Sequence, residues 1–258
     1  MIKSSRPLSP IAASFQEASA RLAEQYQSDR NADAYLLAHS HALDEAIKAL
    51  CEREVLPTED LALIAVGGYG RNELFPFSDI DLLVLTADHV TEDTAFQEKI
   101  AAFVTALWEF GLSVGASVRN TTSFLEEALN DVSIATTYLE SRHLWGSETL
   151  TQEAWQKFRE KLNVADFYRN KMLELSRRHH RFEDSPYALE PNLKESPGGL
   201  RDLQVFLWCA EAAGLANNVE GMATAGLITE KEVHALKAAW WNLKQWRIAL
   251  HLSLIHIS

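Results

Sequence analysis

The chain has little cysteine, a shortage of positive charge and no long apolar run. Only two cysteines occur in 258 residues. Cys51 and Cys209 lie far apart and without the paired spacing of a metal site or disulfide framework, so both are expected to be reduced and structural. Lys and Arg number 24 against 36 Asp and Glu, a formal net charge of -12 with a pI near 5.2. A general nucleic-acid coat needs net or densely clustered positive charge; this balance argues against one and suits a protein partner better. No run approaches the roughly 18 apolar residues of a membrane span. The opening MIKSSRPLSP has no apolar signal core either, which together points to a cytoplasmic protein. The hydrophobic content of 47% is ordinary for a globular protein, enough for one large domain or two modest ones.

What is present is concentrated between Leu61 and Thr86, LALIAVGGYGRNELFPFSDIDLLVLT. Two apolar runs rich in β-favouring residues flank Gly67-Gly68, and the second opens on Asp79 and Asp81. Side chains alternate along a strand, so Asp79 and Asp81 point the same way while Ile80 and Leu82 point into the core. Two carboxylates about 6 to 7 Å apart along the backbone can converge on a divalent cation. The glycine pair allows close backbone approach to a polyanion because no Cβ intervenes. A short helix expected over Tyr69–Leu74 would turn its opening amides toward phosphates. Arg71 then either contacts a phosphate or makes a surface salt bridge. Ser78 closes the connector beside the acids and joins Gly67, Gly68 and Arg71 as a nucleotide-binding candidate. A Gly-Gly turn or an Asp-x-Asp alone is weak; strand, Gly-Gly, connector and acid-led strand in succession read as a nucleotidyl-transfer site.

Elsewhere the pattern is helical. Apolar spacing predicts helices over Ser9–Tyr26 and Asp33–Glu54, the second carrying His39 and His41. Those two do not share a helix face, and they are read as packing or surface histidines. A helix over Thr91–Phe110, a third strand over Leu112–Val118 and a helix over Thr122–Leu129 follow. One long helix is expected from Thr151 to Arg181, ending in the basic run Arg177–Arg181, either a solvated end or an anion contact. A Pro- and Gly-rich stretch then leads through GGLRD into a helix over Leu200–Ala213. The last helix, Thr229–Leu250, opens with Thr229 and Glu232 as a capping box and holds Trp240, Trp241 and Trp246, read as core aromatics. LSLIHIS ends the sequence abruptly and is read as a truncation or an assembly scar.

The segment GGYGRNELFPFSDIDLLVL resembles the nucleotidyltransferase superfamily that includes DNA polymerase beta, and within it the uridylyltransferases that modify the nitrogen-regulatory protein PII. Asn-Leu-Lys followed by Gly-Gly-Leu-Arg-Asp and an apolar helix with Trp208 is similar to the second signature of that family. The resemblance runs from about Tyr35 to His251. It implies an α+β fold, a small mixed-sheet core flanked by helices and followed by a helical domain: an N-terminal helical region at 1–60, the core at 61–147 and the helical domain at 148–258. It also implies transfer of UMP from UTP to a tyrosine of PII with release of pyrophosphate, Mg²⁺ being held by Asp79 and Asp81. Three departures qualify it. The superfamily often places a third carboxylate on the next strand, yet GLSVGASVR has none; Glu140 is the substitute candidate, or else a helix-surface acid. Asn72 stands where the family has Gly. No His-Asp dipeptide occurs, so the family's phosphohydrolase activity is not expected. Two alternatives stay open: another nucleotide or acceptor on the same core, and a non-catalytic regulatory module built on a degenerate one.

Overall fold

The computed structural model describes residues 9–108, 113–182 and 192–253. In chain order the elements are α1 Pro10–Asp29, α2 Ala32–Arg53, β1 Leu61–Ala65, α3 Gly67–Gly70, β2 Ile80–Thr86, α4 Thr94–Leu107, β3 Val114–Asn120, α5 Thr121–Asn130 and α6 Val132–Leu139. They continue as β4 Arg142–Gly146, α7 Glu148–Lys161, α8 Val164–Arg181, α9 Leu200–Ala212, α10 Val219–Thr224 and α11 Glu230–Ser253. The architecture is α+β, with a four-stranded mixed sheet in the order β3-β2-β1-β4. Two compact units divide the chain, one comprising Met1–Ala128 with Glu140–Phe158, the other Leu129–Leu139 with Arg159–Ser258.

In the first unit β1 runs antiparallel to both β2 and β4, while β2 and β3 are parallel with α4 between them in the chain. All five residues of β1 are buried, as suits a central strand covered on both faces. Alternation assigns Leu61, Leu63, Ala65, Ile80, Leu82 and Val84 to one core, shared with Leu43, Ile47 and Leu50 of α2 and Ile100 and Phe103 of α4. Ser9 caps α1 and Asn31 caps α2, each side chain accepting a backbone N–H three residues on. His39 is a packing histidine: it is buried, stacked between Phe15 and Tyr35.

The single helix expected over Thr151–Arg181 is two. The α7–α8 break falls at Leu162-Asn163, where the Asn163 side chain accepts the Asp166 N–H at 3.2 Å and starts α8 afresh. The basic end of α8 is not simply solvated, because Arg178 is 2% exposed. Its guanidinium donates to Asp202 at 2.6 Å and to the Glu195 carbonyl at 2.9 Å. Asp202 also accepts from His179 Nε2 at 2.9 Å and from the Gly198 N–H at 2.7 Å. The basic run and GGLRD are thus one network, and Trp208 below it carries the Lys171 ammonium at 4.6 Å and the Arg201 guanidinium at 5.2 Å over its ring.

Other expectations shift. The strand β4 and the helices α6 and α10 were not anticipated. Thr229 and Glu232 do form the capping box: Glu232 accepts from the Thr229 N–H at 2.8 Å and donates its own N–H to Thr229 Oγ1 at 3.3 Å. Yet Trp241 and Trp246 are 42% and 56% exposed, so they are not core aromatics. The final helix extends into LSLIHIS as far as Ser253, and the rest of that tail, like Leu112, Phe110 and all of DSPYALEP, lies outside the described residues.

Candidate active site

The expected helix after the first strand begins earlier and is shorter than Tyr69–Leu74. Gly67-Gly68 are themselves its first two residues, with Val66 at the N-cap. The Gly70 N–H returns to the Val66 carbonyl and that of Arg71 to the Gly67 carbonyl, both at 3.1 Å. One turn of helix leaves its opening amides outside the ladder. Gly67 takes φ +60, a conformation that costs a residue with a Cβ roughly 1 to 2 kcal/mol.

The chain then turns at Asn72, which has φ 59. That left-handed geometry is the physical reason a Gly suits the position, and Asn is among the few other residues that tolerate it. A turn over Phe75–Ser78, closed by the Ser78 N–H to the Phe75 carbonyl at 3.1 Å, brings the connector to the second strand. Asp79 is exposed and immediately precedes β2. Asp81 is the one exposed residue of β2, whose other six are buried.

The position of Asp81 organises the site. Its carbonyl accepts the Val66 N–H at 3.1 Å, which ties β2 to the residue that opens the glycine turn. Its side chain occupies a gap left by two glycines: a β-carbon on Gly67 would lie 3.5 Å from Oδ2, and one on Gly115 would lie 3.1 Å from Oδ1. Gly115 is the β3 residue paired with Asp81. The strand that offers no third carboxylate thus supplies room for the second.

Arg71 is not a lone surface cation. Nε donates to Glu73 at 2.9 Å and Nη1 pairs with Glu140 at 2.5 Å. Burial alone would lower its pKa; Glu73 and Glu140 outweigh that and hold it above its ordinary value. The remaining nitrogen, Nη2, lies beside Gly68, 3.8 Å from where a β-carbon would be. Glu140 is buried, so it is not a helix-surface acid; its carboxylate pairs with Arg71. Among the described residues no group of three or more His, Cys, Asp or Glu side chains gathers as a metal site. The two exposed Asp carboxylates are hard oxygen donors that suit a divalent cation sharing its shell with phosphate oxygens and water.

A strand, a glycine turn and an acid-bearing second strand are the core of a nucleotidyltransferase, and the nucleotidyltransferase domain family matches residues 43–138. A second family, GlnD PII-uridylyltransferase, matches residues 166–254, which include GGLRD. The bifunctional uridylyltransferase/uridylyl-removing enzymes of Burkholderia mallei (strain SAVP1) and Burkholderia pseudomallei (strain K96243) are each 43% identical over 241 residues. Those matches cover 93% of this chain and 28% of each relative. The chain is similar to these uridylyltransferases along most of its own length and spans little more than a quarter of the length of the curated relatives it matches. A solved toxin–antitoxin complex with AMP-PNP matches at 18% identity over 55% of this chain and 96% of its own, with a TM-score of 0.27, too low to bear on the fold. No helix among the described residues is long and apolar enough to cross a membrane.

Proposed function

We propose that this chain carries the transferase site of a cytoplasmic PII uridylyltransferase, moving UMP from UTP to a tyrosine hydroxyl of PII. The tyrosine oxygen attacks the α-phosphorus and forms a new P–O bond. The bond to the oxygen bridging to the β-phosphate breaks, pyrophosphate leaves, and the tyrosine proton is released to solvent. The observation that supports this most is the seat of Asp81 between Gly67 and Gly115 at the start of the glycine turn.

Each residue has a role in this reading. Asp79 and Asp81 hold Mg²⁺, which when bound stabilises the charge that builds on the phosphate oxygens. Gly67 and Gly68 admit the β- and γ-phosphates to the backbone. Arg71 donates from Nη2, its other nitrogens being held by Glu73 and Glu140. Two carboxylates beside one guanidinium leave no net positive charge there, so Arg71 acts by directed hydrogen bonding and the metal supplies the counter-charge. Ser78 offers a hydroxyl beside the acids.

The test is labelling of PII from radiolabelled UTP. Asp79→Asn and Asp81→Asn each abolish transfer while the chain stays folded, since both side chains are exposed; near wild-type labelling by either variant would remove the assignment. The absence of a three-acid cluster among the described residues favours a second reading, a partner-binding module without turnover. Mg²⁺-dependent pyrophosphate release in the presence of PII eliminates that reading, and competition among the four nucleoside triphosphates fixes the nucleotide.

A further inference from the structure

The glycine turn is gripped from outside. Tyr69, within α3, is buried, and its hydroxyl donates to Asp44 Oδ1 of α2 at 2.7 Å. Arg142, the first residue of β4, donates to the same carboxylate twice, from Nη1 at 2.7 Å and from Nη2 at 2.9 Å. Its guanidinium lies 5.5 Å over the Tyr69 ring, and Nη2 reaches the Tyr69 carbonyl at 3.5 Å. One turn earlier in α2, Ser40 Oγ accepts the Leu74 N–H at 3.2 Å and His39 Nδ1 donates to the Leu74 carbonyl at 2.9 Å. The helix α2 therefore holds both ends of Tyr69–Leu74, the arc that carries Arg71.

As a stabilising device this ion pair is poor. Desolvation of two charges offsets much of their attraction. Arg142 Nε is in addition buried without a hydrogen-bond partner among the described residues. What the arrangement fixes is orientation, because a two-pronged guanidinium–carboxylate contact admits one geometry. Its position is equally specific: the third donor to Asp44 comes from the residue that follows Gly67-Gly68.

We infer that Asp44, Arg142 and Tyr69 form a positioning clamp that holds the Gly67–Arg71 turn in its nucleotide-binding shape. The inference rests on the proposed nucleotide site. None of the three touches substrate; they act through the turn.

The experiment compares the whole chain with its Tyr69→Phe, Asp44→Asn and Asp81→Asn variants. It measures calorimetric binding of UTP with Mg²⁺, steady-state transfer and thermal unfolding. Tyr69→Phe keeps the ring and the Arg142–Asp44 fork and removes one hydrogen bond to a charged acceptor, so it is the cleanest variant. Its Kd and KM for UTP should rise together by about tenfold. Its kcat should stay within about twofold, the signature of lost uniform binding. Asp44→Asn should move further in the same direction. A purely structural role would instead lower the folded fraction and with it the apparent kcat, leaving Kd and KM for UTP unchanged, and that result overturns the inference. Asp81→Asn reports on the site itself. A wild-type chain that binds UTP without transferring UMP removes the proposed reaction but leaves the Kd comparison to decide the clamp; one that binds no nucleotide removes both.

Discussion

Asp81 and Gly115 face each other across the parallel β2–β3 pair so closely that a β-carbon on Gly115 would lie 3.1 Å from Asp81 Oδ1. The neighbour in the way is the end of an exposed side chain, which can give by a few tenths of an ångström. Gly115→Ala should therefore change stability by no more than about 0.5 kcal/mol. Displacing a carboxylate that orients a reacting centre is another matter, and UMP transfer to PII should fall by at least about tenfold. Urea unfolding and PII labelling on the same preparation check the two halves. Wild-type labelling in the folded variant would show that the seat of Asp81 does not set the site.

The two glycines of GGLRD should behave unequally. Gly198 has φ +78 with open space around its would-be β-carbon, whereas a β-carbon on Gly199 would meet the carbonyls of Leu193, Lys194 and Ser196, each at 2.9 Å. Gly198→Ala should cost about 1 kcal/mol for the left-handed conformation alone. Gly199→Ala forces backbone apart and should cost about 2 kcal/mol or more. Chemical denaturation of the two variants gives the order, and equal losses would show that the carbonyl cage relaxes freely.

Much of the first unit was legible because its signals are local. The strands β1 and β2 are short apolar runs between turn residues, and the exposure of Asp81 follows from strand alternation. The strand β4 lacks such a signal: in RHLWG only Leu144 is buried, and its strand state comes from pairing with β1 across a register shift at Leu63/Ile64. The α7–α8 break is marked by no Gly or Pro, only by Asn163 three residues ahead of Asp166. Trp240 and Trp241 stand about 100° apart on a helix, so one face could not have buried both. The network behind the site is the least legible part, since Asp44, Tyr69 and Arg142 come from three separate elements, and Glu140 meets Arg71 only once β4 is in place.

Acid should weaken the protein in two separate windows. His39 donates from Nδ1 to the Leu74 carbonyl and accepts the Ser19 hydroxyl at Nε2, at 2.7 Å, as a neutral ring. Burial lowers its pKa below the ordinary 6.5, and the bond to Leu74 only partly opposes this. The folded state then binds fewer protons than the unfolded one, so the contribution is full above 6.5 and is lost as pH falls through the folded value. Burial shifts His143 of the same unit in the same direction. Asp202 behaves likewise lower down. Burial alone would raise it, but bonds from His179, the Gly198 amide and Arg178 hold it below its ordinary 3.8. Its stabilisation is full above 3.8 and declines as pH drops through the depressed value. Urea midpoints taken from about pH 7.5 down to about pH 3 should show both declines. The substitution His39→Asn keeps an N–H donor available for the Leu74 carbonyl and removes the titration. It should flatten the upper decline and leave the lower one in place, and an unchanged upper decline would transfer that window to His143.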